Sequence, residues 1–160
     1  MDENDVKTLQ AIYFAQTLGA SFFGAVVVFL SLKAYQKGVT PTEEQLQLAR
    51  ILSFAVIAVA SVAYFAADIA FKKIISKPID LPSTPQKLFA RLRTALIVRI
   101  AIFEGTAFLG LIALMLSGIY GVLSSHPVYW LTSVPFFILL FLIALTFPNK
   151  TRLQQQINRS

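Results

Sequence analysis

The sequence predicts an all-α integral membrane protein, a bundle of four transmembrane helices. Three observations carry this reading. The chain of 160 residues is 56% hydrophobic and only 14% charged, with a mean hydropathy of +0.69, whereas a soluble domain averages about 45–50% apolar and roughly 25% charged residues. The apolar excess is concentrated: Thr8 to Leu32 carries no charge for 25 residues, and Gly105 to Asn149 carries none for 45. About 20 apolar residues cross a bilayer as a helix, and a chain this short has no core in which to bury four such segments.

The first span is expected from about Gln10 to Leu32, closed by Lys33 and Lys37 and followed by the breaker cluster Gly38–Pro41. Thr42-Glu43-Glu44 reads as a helix start, with acidic residues at the positive end of the helix dipole. The second span then runs over about Ile51–Phe71 and ends at Lys72-Lys73. A polar connection, residues 72–93, follows. Pro78, Pro82 and Pro85 within it forbid a continuous helix. Ser83 or Thr84 can cap a helix that begins near Pro85, lies in the headgroups and continues into the third span, about Thr94–Leu116. The stretch Ser117–Gly121 breaks the pattern, and Ser124–Pro127 completes a short turn. The fourth span covers about Val128–Phe147, with Pro148 as its stop and a kink expected at Ser133–Pro135.

Charge fixes the expected orientation. The side holding both termini and the middle connection carries ten basic residues: Lys7, Lys72, Lys73, Lys77, Lys87, Arg91, Arg93, Lys150, Arg152 and Arg159. The opposite side carries three, Lys33, Lys37 and Arg50. The positive-inside rule then places both termini in the cytoplasm of a bacterial inner membrane. Tyr129 and Trp130 fall at the far interface, and Tyr13 and Phe14 near the cytoplasmic one, where aromatic belts sit. The acidic start, Met1–Asp5, lacks the basic region of a cleaved signal peptide, so the first span is expected to stay.

Composition also removes functions. The chain has no Cys and one His, His126. Thiolate metal sites, iron–sulfur clusters, disulfides and bis-His haem are therefore excluded, and no cofactor is expected. The net charge of +6 sits beside apolar spans, which points to anionic headgroups rather than nucleic acid. No constellation of nucleophile, base and orienting group can be assembled, so an enzyme is not expected.

What remains is a short set of polar residues inside the spans. Glu104 lies ten residues into the third span, about 15 Å deep at 1.5 Å per residue, near the midplane. A charge there costs at least about 2.5–3.5 kcal/mol, so the carboxyl is protonated, paired or facing water. Gln16 and Thr17 of the first span lie at a matching depth. Arg99 is shallower and about 140° around the same helix from Glu104. Its expected partner is Asp68, near the end of the second span. Small residues mark expected helix contacts: Ala11, Ala15 and Gly19 on the first span, Ala60, Ala63, Ala67 and Ala70 on the second, Thr106 and Gly110 on the third. These read first as packing within one bundle and otherwise as an oligomer contact.

The run Arg93–Gly105, which contains Arg99 and Glu104-Gly105, is followed by Leu116-Ser117-Gly118 and by a last span ending in Phe147-Pro148-Asn149-Lys150-Thr151-Arg152. It resembles an uncharacterised family of small four-span bacterial inner-membrane proteins with an Arg-x4-Glu-Gly third span. The resemblance implies that Arg99, Glu104-Gly105 and Pro148 are family features. It implies no activity. Two functions are therefore expected. One is a structural or accessory membrane subunit, whose partners are the lipid bilayer and a second copy or larger membrane complex. The other is a small proton- or ion-coupled transporter or channel that uses Glu104.

Overall fold

A computed structural model of the chain describes residues 3–76 and 85–149. Among them there is no strand. The elements are α1 (Glu3–Gln36), α2 (Glu43–Ser76), α3 (Pro85–Ile119), the short α4 (Val122–Ser125), a 3-10 segment (Pro127–Ser133) and α5 (Val134–Thr146). Four stretches are long and apolar enough to cross a membrane: Val6–Gln36, Glu43–Ser76, Gln86–Ile119 and Pro127–Thr146. The four predicted spans are all present: the first three lie within longer helices, and the fourth, expected over Val128–Phe147, is the stretch Pro127–Thr146. Lys77–Thr84, with the expected caps Ser83 and Thr84, lies outside the described residues, as do Met1, Asp2 and the tail from Lys150.

Helix α3 is the hub. Helices α1, α2 and α5 each pack mainly on it, and half of its membrane-spanning window is buried. The buried core follows suit: Leu96, Ile100, Phe103, Ala107, Leu111 and Leu114 of α3 meet Leu9, Tyr13, Ala20 and Val27 of α1 and Phe136, Leu139 and Ile143 of α5. On the outside, Phe14, Phe22, Phe54, Phe65 and Phe141 are all more than 60% exposed. A ring of exposed apolar side chains is what a bilayer requires of its contact surface.

Local chemistry sets the element boundaries. The Thr42 backbone N–H donates to Gln45 Oε1 (2.9 Å) and the Gln45 N–H donates to Thr42 Oγ1 (3.3 Å). This reciprocal capping box starts α2 where the sequence placed it. Helix α3 begins at Pro85, as expected. It ends at Ile119, and the chain turns at Gly121, whose φ of +74° is a left-handed conformation that glycine adopts without strain.

The fourth span departs from expectation. Pro135 does not kink a continuous helix but sits in the first turn of α5, and residues 127–133 wind as a 3-10 helix. In an α-helix Pro135 would donate to the Leu131 carbonyl, and it has no N–H to give. Val134 N–H takes that carbonyl instead, an i to i−3 bond. Thr132 Oγ1 donates to Tyr129 O (2.8 Å) and Ser133 Oγ to Trp130 O (2.7 Å), satisfying two more carbonyls in the tighter turn.

The 3-10 backbone lies directly on α3 at Gly110. A Cβ there would collide with the Thr132 carbonyl oxygen. Gly24 likewise leaves room for the Phe136 ring, whereas a Cβ at Gly19 or Gly105 would meet nothing within 4 Å. Gly110→Ala is therefore expected to destabilise the monomer by about 1–3 kcal/mol in a denaturant titration in mixed micelles. Gly105→Ala is expected to leave monomer stability unchanged or raise it by roughly 0.5–1 kcal/mol.

Candidate functional site in the membrane-spanning bundle

The polar side chains of the spans form two separate groups on different faces of α3. The first is the predicted bridge. Arg99 Nη2 of α3 donates to Asp68 Oδ1 of α2 at 2.9 Å. Lys72, one turn along α2, approaches the other carboxylate oxygen at 3.9 Å. The guanidinium also lies over two rings, 5.3 Å from the Phe71 centroid and 5.8 Å from Phe103. Those rings shield a charge that the headgroup region alone would solvate, and each cation–π contact contributes about 0.5–1 kcal/mol at such sites. Arg99 Nε is buried and has no hydrogen-bond partner.

The second group is Glu104 and Gln16. Gln16 Nε2 donates to Glu104 Oε2 at 3.5 Å, across the seam between α1 and α3. Both residues are half-buried. The Gln16 carbonyl oxygen is buried and takes no hydrogen bond. Thr17, named beside Gln16 from its depth, does not join them: its hydroxyl donates to the Tyr13 carbonyl of its own helix at 2.7 Å. The seam continues one turn further along α3, where Phe108 meets Phe23 of α1 edge to face at 5.2 Å.

The small-residue expectation divides by helix. On α2, Ala60, Ala63 and Ala67 are buried and Ala70 is half-buried, and on α3, Thr106 and Gly110 are buried. On α1 the expectation is corrected. Ala11, Ala15 and Gly19 are exposed, and the contact face is instead Val6, Leu9, Tyr13, Ala20 and Val27. The large side chains of that second face bury more area against α3 and α5, which decides the rotation of the helix. Ala101 and Gly105 of α3 are exposed as well. Glu104 and Gln16 thus border an uncovered surface of small residues.

Tyr13 and Phe14, expected at the same end of the first span, face opposite ways: Tyr13 is 1% exposed and meets the Phe147 ring edge to face at 6.3 Å, while Phe14 is 64% exposed. Tyr13 and Arg99 line one small void of about 20 Å³ together with Leu96, Phe103 and Thr146. The heptad spacing of Val6, Tyr13, Ala20 and Val27 is the signal that places Tyr13 in the core. At the same end of the bundle, Gln10 Nε2 donates to the Pro148 carbonyl at 2.9 Å, tying the start of α1 to the close of the last span.

His126 is exposed, with Nδ1 3.0 Å from Ser125 Oγ and its ring edge-on to Tyr129. Among the described residues, no three His, Cys, Asp or Glu side chains come together as a metal site. The architecture and these sites define a multi-pass α-helical membrane protein. Comparison with protein-family models, curated proteins and solved structures finds no match to the chain.

Asp68→Asn and Arg99→Gln are each expected to lower the unfolding midpoint. In a double-mutant cycle the pair is expected to show a coupling of about 1 kcal/mol, set by its partial exposure. Additive single effects would show that the bridge does not hold α2 to α3.

Proposed function

We propose that the protein is a non-enzymatic accessory subunit of a bacterial inner membrane, with both termini in the cytoplasm. In this reading it associates sideways, with a second copy or a larger membrane complex, through the face around Glu104. The observation that carries the reading is the position of the Glu104 carboxyl. It sits in a helix–helix seam, hydrogen-bonded to Gln16, at the edge of a surface where Ala15, Gly19, Ala101 and Gly105 leave backbone open.

Three physical arguments support it. Helix association in lipid relies on close backbone approach and interhelical hydrogen bonds, because no hydrophobic drive separates helix from lipid. Gly19 and Gly105 permit that approach and have no intramolecular use for it. The carboxyl group of Glu104 and the spare oxygen of Gln16 can each take a further hydrogen bond, which hydrocarbon does not supply. A partner helix laid across this face would provide both.

The competing reading is a proton- or ion-coupled carrier with Glu104 as the titrating group. It is favoured by the same half-buried carboxyl near the middle of the span. The two readings separate on one pair of variants. Gly105→Leu in reconstituted membranes is expected to reduce association, read by single-molecule photobleaching or cross-linking, at least tenfold, a loss of about 1.4 kcal/mol or more. Glu104→Gln, which keeps the hydrogen bond and removes titration, is expected to retain association. Proton or cation flux into proteoliposomes that is present in the parent and abolished by Glu104→Gln would replace the subunit reading with the carrier.

A further inference from the structure

We infer that the bundle holds one phospholipid at a fixed site: an acyl chain lies in a lateral groove between α2 and the fourth span, with its anionic headgroup on Arg50. The groove has a volume of about 510 Å³. It forms because α2 packs on α3 and touches the 3-10 segment, leaving a cleft along residues 128–138. Buried Val56 and Ala60 line it, and exposed Phe54, Ile57, Leu131 and Val134 flank it. Those exposed flanks open it sideways toward lipid.

The chemistry of the lining selects the occupant. The hydroxyls of Ser53, Ser61 and Thr132 are committed to carbonyls of their own segments, at 2.8 Å each. Their O–H donors are spent on the protein itself, and most of the surface that lines the groove is apolar. At its Lys37 end, near the α1–α2 turn, stands Arg50, exposed and without an ion pair among the described residues. An apolar slot with a single unpaired cation at its headgroup end matches an anionic amphiphile.

The dimensions select among apolar occupants. From Arg50 to Tyr64 the groove follows α2 for about 21 Å, more than the roughly 15 Å of hydrocarbon in one leaflet. A chain entering at Arg50 therefore has room to reach the bilayer centre. A helix about 10 Å across would occupy roughly 1,600 Å³ over the same length. All the free space in the groove, including what lies open to the surroundings, is about 1150 Å³. One extended chain fits within that space, whereas a helix exceeds it.

The test uses the full chain in phosphatidylcholine vesicles with trace phosphatidylglycerol or phosphatidylcholine, spin-labelled near the chain end. Electron paramagnetic resonance then reads the motionally restricted lipid. The parent is expected to restrict the phosphatidylglycerol probe roughly fivefold more strongly, the preference one surface cation confers. Arg50→Gln, a change on an exposed residue, is expected to lower that preference, although the basic residues at the opposite end remain. Ala60→Trp and Ile138→Trp fill the groove from opposite walls. Each is expected to remove one restricted chain per protein, with helicity by circular dichroism unchanged. A preference untouched by Arg50→Gln overturns the inference. So does a restricted population untouched by both tryptophan variants, or a shift in oligomer mass in place of a lost lipid, which would assign the groove to a second copy.

Discussion

Hydrocarbon offers no hydrogen bonds, so every backbone group within the spans needs a partner from the protein itself. Most of the local structure follows from that requirement. Thr17, Ser53, Ser61, Thr106 and Ser117 all turn their hydroxyls back onto carbonyls of their own helix, at 2.7–2.8 Å. The same requirement shapes the last span. A proline in mid-membrane strands a carbonyl, and the chain answers by tightening into a 3-10 helix whose bonds run i to i−3. That tighter segment lies close on α3, and only glycine at position 110 accommodates it. One missing N–H thus propagates into the winding of a span, the choice of a neighbouring residue and the seating of two helices.

The charged and amide side chains obey the same economy. The shallow acid and base, Asp68 and Arg99, satisfy each other across α2 and α3, with Phe71 and Phe103 against the guanidinium. The deeper Glu104 finds an amide rather than a cation, because the α1 face opposite carries Gln16. The helical phase of α3 separates the two pairs and directs one to α2 and the other to α1. Each polar pair therefore joins α3 to a different neighbour, supplementing the apolar packing on those faces.

Much of this was legible in sequence because the bilayer imposes simple rules. Length and hydropathy locate spans, Thr42 before two glutamates starts α2, Pro85 starts α3, and depth with helical phase pairs Asp68 with Arg99. The residues read less fully were those for which two rules act at once. Tyr13 has the amphipathic ring of an interface residue and the heptad position of a core residue, and its depth alone did not show that it turns inward against α5. Ala11, Ala15 and Gly19 have the spacing of a packing stripe, but the opposite face of α1 carries larger apolar side chains and takes the contact. Pro135 is a helix breaker in either reading. Its effect on winding rather than direction depends on the hydroxyls of Thr132 and Ser133 and on the open surface at Gly110, which lie in two different segments of the chain.

The central position of α3 bears on how the protein comes into being. Helices α1 and α2 precede it in synthesis and pack mainly on it. The first two spans therefore enter the bilayer before the surface they dock against has been made. Until α3 arrives, Asp68 is without its guanidinium, and Gln16 without its carboxyl. The bundle is completed only from its second half, so a chain halted in the connection after α2 has two inserted helices and no tertiary structure to hold them together.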